Sequence, residues 1–229
     1  MKRRASSLLA VVAALSMTVT SVLPAMAAPS AGDNSKTADP LENQVLDLEF
    51  EDNLNDSTNT IQNISFQGDG YEYVDGTDSG KALSLKGNTS LNLGTDVRLQ
   101  PENLTLSFWI KPNAAITGEQ IISWNKAEYN TDGWYLTSES DTAPLALSVG
   151  AATGQPYKVS VNTDRAEFFP EGEWTHIVVT YSSQTKEVKF YRNGVSQEAT
   201  ITEPITETAT GVGSVKNFVA LVKNGSFLV

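Results

Sequence analysis

The 229-residue sequence contains no cysteine. This absence excludes disulfides, iron–sulfur clusters, thiolate zinc sites and cysteine nucleophiles. Histidine occurs once, at His176, so any Ser-His-Asp arrangement would have to use that residue. Without disulfides, an exported domain of this size must be stabilised by its hydrophobic core, with or without help from a metal ion.

Basic residues are also scarce. The chain has 16 Lys and Arg against 27 Asp and Glu, which gives a formal net charge of -11 at pH 7. Such an acidic surface repels nucleic acid and anionic lipid and suits a neutral partner or a cation. We therefore predict that nucleic acid is not a partner.

Sustained helical periodicity is absent as well. About a dozen short apolar runs alternate instead with turns rich in Asn, Asp and Gly, a pattern typical of an all-β sandwich. The most regular run is Leu104–Ile110, in which Leu, Leu, Phe and Ile occupy every second position. We expect two antiparallel sheets packed face to face.

The N-terminal residues have the pattern of a signal peptide. Lys2, Arg3 and Arg4 precede an apolar run that begins at Leu8–Leu15, and Ala25-Met26-Ala27 offers a small-x-small cleavage site. The alternative is a retained membrane anchor, but the run is shorter than the roughly 20 residues that a span needs. We predict a signal peptide at residues 1–27, a flexible leader at 28–43, and a secreted domain at 44–229 with no membrane insertion after cleavage.

The segment Gly172–Val195 predicts a meander of antiparallel strands. One face of its first strand carries Trp174, His176, Val178 and Thr180, and the other carries Thr175, Ile177, Val179 and Tyr181. Asn193-Gly194 favours a tight hairpin turn, after which Val195–Ile201 is expected to form the third strand.

This pattern, Trp-x-His followed by two apolar residues, x and Tyr, then a turn and a strand ending Tyr-x-Asn-Gly, resembles laminin-G-like domains of the concanavalin A-like lectin/glucanase superfamily. Phe50–Ser57, Gly80–Gly87 and Leu104–Pro112 resemble further elements of that family. The resemblance implies a two-sheet jelly roll. The family's closing strand has no evident counterpart, so we expect a jelly roll that lacks its last strand and belongs to a larger protein with further C-terminal domains.

A candidate carbohydrate site lies between Trp124 and Tyr135. Sugars stack their C–H faces on aromatic rings, and amides and carboxylates bind their hydroxyls. The expected ligand-binding residues are Trp124, Asn125, Tyr129, Asp132 and Trp134. The alternative is that the two tryptophans belong to the core or its rim. The resemblance assigns structural roles to Trp109 and Trp174.

Calcium is a candidate cofactor because Asp52, Asn53, Asn55 and Asp56 place several hard oxygen ligands in one loop. The same residue types also cap turns, which is the alternative interpretation. A second candidate is Asn130-Thr131-Asp132.

Catalysis is the weakest hypothesis. Asp47, Glu49 and Glu51 alternate along one predicted strand, about 6.5 Å apart, a spacing compatible with paired acids in glycosidases. The glycosidase motif of the superfamily is not present, and a solvated polar face explains the pattern. His176 is interpreted as a buried, hydrogen-bonded structural residue. We predict a secreted, non-catalytic carbohydrate-binding module. The alternatives are an adhesion or spacer domain that binds protein, and a glycoside hydrolase.

Overall fold

The computed structural model describes residues 9–18, 43–77, 79–86, 89–99, 101–112, 119–125, 133–150, 157–203 and 218–220. Within these ranges the chain is almost entirely antiparallel β-structure in two sheets. The first sheet contains β1 (Leu9–Thr18), β2 (Gln44–Leu48), β4 (Tyr71–Asp75), β5 (Lys81–Lys86), β7 (Leu104–Lys111), β12 (Thr175–Ser182), β13 (Glu187–Arg192) and β14 (Val195–Gln197). The second contains β3 (Ser65–Gln67), β6 (Ser90–Gly94), β8 (Glu119–Asn125), β9 (Gly133–Ser138), β10 (Ala146–Val149), β11 (Tyr157–Val161), β15 (Ala199–Glu203) and β16 (Phe218–Ala220).

The strand order of the first sheet is β14-β13-β12-β7-β1-β5-β4, with β2 paired to β1 as well. The order of the second is β15-β11-β10-β9-β8-β16-β6-β3. One short helix, α1 (Arg165–Phe168), and a 3₁₀ turn at Val97–Leu99 complete the described elements. The predicted all-β, two-sheet antiparallel architecture is confirmed.

The core lies between the two sheets, and alternating buried residues of strands such as β7 and β12 form it. In β7 and β12 every second side chain is buried, with the intervening ones half-buried on the outer face. Leu106, Phe108, Ile177 and Val179 are at most 1% exposed. Each fully buried Leu, Ile, Val or Phe contributes about 1.5–3 kcal/mol, so this alternating pattern is a principal source of stability.

The predicted hairpin at Asn193-Gly194 is confirmed. Both residues have positive φ, 48° and 78°, as a two-residue turn of this kind requires. The predicted third strand, Val195–Ile201, is wrong as a single element. Val195–Gln197 pairs with β13 in the first sheet, and Ala199–Glu203 pairs with β11 in the second. The chain thus crosses between the sheets at Glu198.

The first strand of the predicted domain is shorter than expected. The alternation of Val45–Glu51 predicts seven residues, but β2 ends at Leu48 because Phe50 and Asp52 have φ of 59° and 55°. Phe50 is 1% exposed, so burial of its ring offsets an unfavourable backbone conformation. All of the predicted flexible leader except Asn43 lies outside the described residues.

The predicted signal peptide contains a strand. Leu9–Thr18 pairs with β7 along one edge and with β2 and β5 along the other. The strand therefore lies beside the first strand of the predicted domain, in the middle of the sheet. Removal of residues 1–27 by cleavage stays a prediction.

The buried carboxylate of Asp56 organises the loop after β2. Its oxygens accept hydrogen bonds from the backbone N–H groups of Asp47 (2.8 Å), Thr58 (3.1 Å), Thr60 (2.9 Å) and Ile61 (2.7 Å), and from the Thr58 hydroxyl (2.7 Å). One side chain thus satisfies donors that would otherwise be buried without acceptors.

We expect Asp56→Asn to lower the free energy of unfolding by about 2–3 kcal/mol, because the amide group places an NH₂ where an acceptor is needed. Urea unfolding measures this change. The matched control is Asp52→Asn, the same chemical change at an exposed position of the same loop, which should stay within about 0.5 kcal/mol. Equal effects in both variants would contradict the role given to Asp56.

Candidate functional site

The outer face of the first sheet carries a cluster of half-buried aromatic rings. We define the aromatic patch as Ser107, Trp109, Lys111, Trp174 and His176. Because the apolar residues of β7 and β12 point into the core, alternation turns Ser107, Trp109, Lys111 and His176 outward. Trp174 lies immediately before β12 and is half-buried as well. Both tryptophans pack against Ala82 of β5, which is fully buried beneath them.

Strand register sets the position of Trp109 relative to His176. Trp109 lies directly opposite His176 across the β7–β12 ladder, with ring centroids 5.0 Å apart and planes inclined by 34°. The Lys111 Nζ atom lies 5.8 Å from the centre of the Trp174 ring. This distance is within the range of a cation–π contact.

Hydrogen bonds fix His176 on both its side chain and its backbone. Its Nε2 atom lies 2.9 Å from the Ser107 hydroxyl oxygen. Its backbone N–H donates to the Asn193 side-chain oxygen, and its carbonyl accepts from the Asn193 N–H, each at 2.8 Å. Burial lowers the pKa of His176 from its ordinary value of 6.5, so the ring is neutral at pH 7.

This arrangement has the chemistry of a stacking platform. Trp faces offer apolar area, a neutral imidazole adds to it, and a hydroxyl and an ammonium group lie beside the rings. A ring-shaped ligand can stack a C–H face on the aromatic rings and form hydrogen bonds between its edge hydroxyls and the Ser107 hydroxyl or the Lys111 ammonium group. The alternation of Leu104–Ile110 and Trp174–Tyr181 already placed these residues opposite the core-facing positions. The sequence therefore predicts that these side chains share one face. The structural roles that the resemblance implies for Trp109 and Trp174 stay a prediction.

The sequence-predicted ligand site is only partly described. Trp124 and Asn125 belong to β8, where they lie opposite Trp134 and Gly133 of β9. Trp134 is fully buried in the core cluster. A side chain with no accessible surface cannot stack on a ligand, so the assignment of Trp134 as a ligand-binding residue is wrong in this conformation, and the ring is a core residue. Tyr129 and Asp132 lie outside the described residues.

Two of the four predicted calcium ligands, Asn53 and Asp56, bond backbone groups with their side-chain oxygens, and calcium binding by the loop stays a prediction. Besides the bonds to Asp56, the Asn53 side chain donates to the Glu51 carbonyl (2.6 Å) and accepts from the Asn55 N–H (2.8 Å). Asp52, Asn53 and Asn55 are exposed. In the described part of the chain, no group of three or more His, Cys, Asp or Glu side chains is placed to hold a metal ion. The second candidate, Asn130-Thr131-Asp132, falls outside the described residues.

The three carboxylates considered for catalysis do not form a row along one strand. β2 ends before Glu49, and Glu49 and Glu51 lie in the irregular segment that follows. One Glu51 oxygen accepts a hydrogen bond from the Lys81 N–H at 2.8 Å, which ties this loop to the start of β5. The paired geometry assumed for Asp47, Glu49 and Glu51 was wrong because it required an unbroken strand.

Two adjoining clefts lined by amide and hydroxyl groups flank residues 59–63, with volumes of about 560 Å³ and 440 Å³. Arg98 borders the larger cleft, where its guanidinium group binds the Asp96 carboxylate (2.7 Å) and the Thr60 carbonyl (2.9 Å). None of the described residues that line these clefts is aromatic. Within that lining, hydrogen-bonding groups are present and no ring on which a sugar could stack.

In the described residues no helix is long and apolar enough to cross a membrane.

Comparison with known proteins identifies a family and similar solved structures. The Laminin_G_3 family model, described as concanavalin A-like lectin/glucanases superfamily, matches residues 85–215, more than half of the chain. A solved structure titled "Crystal structure of HCR/D F1240A mutant" is similar with a TM-score of 0.52 and 18% sequence identity, over 77% of this chain and 42% of that chain. The chain thus spans less than half of that structure, and at this identity the likeness concerns the fold alone. No curated protein matches.

The lowered pKa of His176 predicts a specific pH dependence of stability. In the unfolded chain His176 binds a proton near pH 6.5, whereas burial disfavours its protonation in the folded chain. The stability that the neutral imidazole contributes is therefore present above pH 6.5 and is lost as the pH falls below that value. We expect the wild-type melting temperature to fall faster on acidification than that of His176→Gln, which keeps a hydrogen-bonding group for Ser107. Melting curves between about pH 7.5 and about pH 5 measure this difference. Parallel curves for the two proteins would rule out the burial of a neutral imidazole.

Proposed function

Because the chain belongs to the concanavalin A-like lectin/glucanase superfamily, we propose that it is a secreted, non-catalytic carbohydrate-binding domain whose ligand lies on the aromatic patch. The observation that carries this proposal is the pair of half-buried tryptophans, Trp109 and Trp174, on an outer sheet face rather than in the core. Rings that stay partly accessible while strand register (Trp109) and packing on Ala82 (both tryptophans) restrict them give stacking area at little cost in side-chain entropy.

The charge distribution supports an uncharged ligand. The chain as a whole has a net charge of -11, whereas the patch as defined contains one lysine, a neutral histidine and no carboxylate. A neutral sugar meets little electrostatic opposition on such a surface, while an anionic polymer is opposed by the rest of the protein. Lys111 beside Trp174 is placed to donate hydrogen bonds to ligand hydroxyls.

The absence of a catalytic role is part of the proposal. His176 is bonded to Ser107 and half-buried. β2 ends at Leu48, so the three carboxylates of the hydrolase hypothesis do not alternate along one strand. A hydrolase of the superfamily would need two carboxyl groups facing one glycosidic bond. Turnover of a polysaccharide that disappears in Glu49→Gln would overturn this part of the proposal.

The binding site is tested with Trp109→Leu and Trp174→Leu, which remove the aromatic face and keep apolar volume. We expect each to weaken binding to a glycan identified on an array by roughly 5- to 30-fold, which corresponds to about 1–2 kcal/mol of stacking energy. The matched control is Tyr71→Leu, an exposed aromatic residue of the edge strand β4 whose ring stacks on Phe66. It should bind like the wild type. Isothermal titration gives the affinities, and melting curves confirm that the variants fold.

Three outcomes separate the alternatives. Loss of binding in Trp124→Ala and Tyr129→Ala, with intact affinity in the patch variants, would move the ligand to the site predicted from sequence. Loss of binding in EDTA would support calcium as a cofactor. Binding of a ligand to the patch should persist in EDTA, because the patch as defined contains no carboxylate. Retention by matrix proteins without binding to any sugar would favour the adhesion or spacer role.

A further inference from the structure

Tyr191 of β13 lies on the same outer sheet face as the aromatic patch, although it is not a member of the patch. Its neighbour Phe190 is fully buried in the core, so alternation along β13 turns Tyr191 to the outer face. The Tyr191 side chain is half-buried there, as are those of Trp109 and Trp174. Tyr191 therefore adds a further partly accessible aromatic ring to this face, one strand beyond β12.

Strand register places Tyr191 beside the patch. Tyr191 lies opposite Val178 of β12, which lies opposite Ser107 of β7. Because His176 precedes Val178 by two residues on the same face of β12, Tyr191 is its diagonal neighbour, at a distance of roughly 7–8 Å. Trp109 lies on the other side of His176. The rings of Trp109, His176 and Tyr191 thus follow one another across β7, β12 and β13.

These rings extend over more surface than one sugar can cover. With strands about 4.8 Å apart and a rise of about 3.3 Å per residue, the Cα atoms of Trp109 and Tyr191 are roughly 12 Å apart. A six-membered sugar ring covers one aromatic ring at a time. Stacking on both Trp109 and Tyr191 therefore requires separate sugars of one chain, with a further sugar over the His176 ring between them.

The surface around Tyr191 suits an uncharged chain. On β7 and β12 its row contains the small side chains of Ser107 and Val178, which leave the aromatic rings as the tallest groups. From β7 to β13, the described residues of this row include no carboxylate. The next residue of β13 on this face, Lys189, is paired with Glu187 at 3.1 Å, so its charge is balanced within the strand.

We propose that the ligand is a neutral glycan chain of at least three sugars, which extends from Trp174 and Trp109 across His176 to a further stacking site at Tyr191. This inference rests on the proposed carbohydrate function and adds a binding residue and a minimum ligand length to it. A disaccharide stacks on the tryptophans, which offer the larger aromatic faces, and leaves Tyr191 uncovered. A longer chain reaches Tyr191 as well and gains the stacking on its ring.

The test compares sugars of two and six units on the full chain. The probes are the disaccharides and hexasaccharides of the cellulose, xylan, mannan and amylose series. The chain contains one histidine, so the proton NMR signal of the His176 imidazole reports whether a probe covers the patch. In a series that binds, we expect the hexasaccharide to bind at least roughly tenfold more tightly than the disaccharide. Equal affinities of the two lengths would overturn the inference.

Two substitutions at one position provide the matched control, which is needed because a longer chain also offers more registers for binding. Tyr191→Leu removes the ring and should weaken hexasaccharide binding by roughly 3- to 10-fold, with disaccharide binding within roughly twofold of the wild type. Tyr191→Phe keeps the ring and should bind both lengths within roughly twofold of the wild type. Trp109→Leu should weaken the binding of both lengths. Isothermal titration gives the affinities, and melting curves confirm that the variants fold.

The outcomes distinguish this inference from the proposed function. If Trp109→Leu weakens hexasaccharide binding but Tyr191→Leu binds both lengths like the wild type, the carbohydrate function stands and the inference is overturned. If no probe moves the His176 signal, or Trp109→Leu changes nothing, the proposed function fails and the inference fails with it. If Tyr191→Leu does not fold, Tyr191→Val, whose branched side chain favours strands, takes its place with the same expected result.

Discussion

A strand inside a sheet has to pair its backbone groups along both edges, and this requirement organises the first sheet around β7. On one edge β7 pairs with β12 in an uninterrupted register from Thr175 to Tyr181. On the other it pairs with β1. Because buried N–H and C=O groups are costly to leave unpaired, the two faces of β7 become fixed once both edges are paired. The inner face then supplies Leu106 and Phe108 to the core, and the outer face supplies Trp109 to the aromatic patch.

The patch owes its rigidity to ordinary sheet and turn chemistry. Asn193 adopts positive φ in the hairpin turn and, from that position, bonds both backbone groups of His176. His176 in turn lies opposite Trp109 and contacts the Ser107 hydroxyl. A residue of the β13–β14 turn thus fixes the backbone of His176, which lies opposite Trp109. Such preorganisation reduces the entropy lost when a ligand is bound.

The sequence predicted what local periodicity encodes. Alternation in Leu104–Ile110 and the Asn193-Gly194 pair gave the strands and the hairpin, because side-chain direction and turn geometry are set within a few residues. Prediction from the sequence failed where contacts between residues far apart in the chain determine the conformation. Phe50 ends β2 early because its ring packs into the core at positive φ, and the apolar run Val195–Ile201 divides between two sheets. Trp134 is buried because strands remote in sequence cover it, so its polar neighbours in the sequence wrongly suggested a binding loop. For Asp56, the sequence indicated a turn-forming side chain but did not indicate that this side chain is buried.

The aromatic patch is assembled across β1. Trp109 and Trp174 pack on Ala82, which belongs to β5 on the far side of β1 from β7. The floor of the patch is therefore formed by two parts of the sheet that only β1 joins within the described residues. The backbone pairing of β1 sets the distance between those parts, so the packing of two tryptophans on one alanine depends on β1 as well as on β7 and β12.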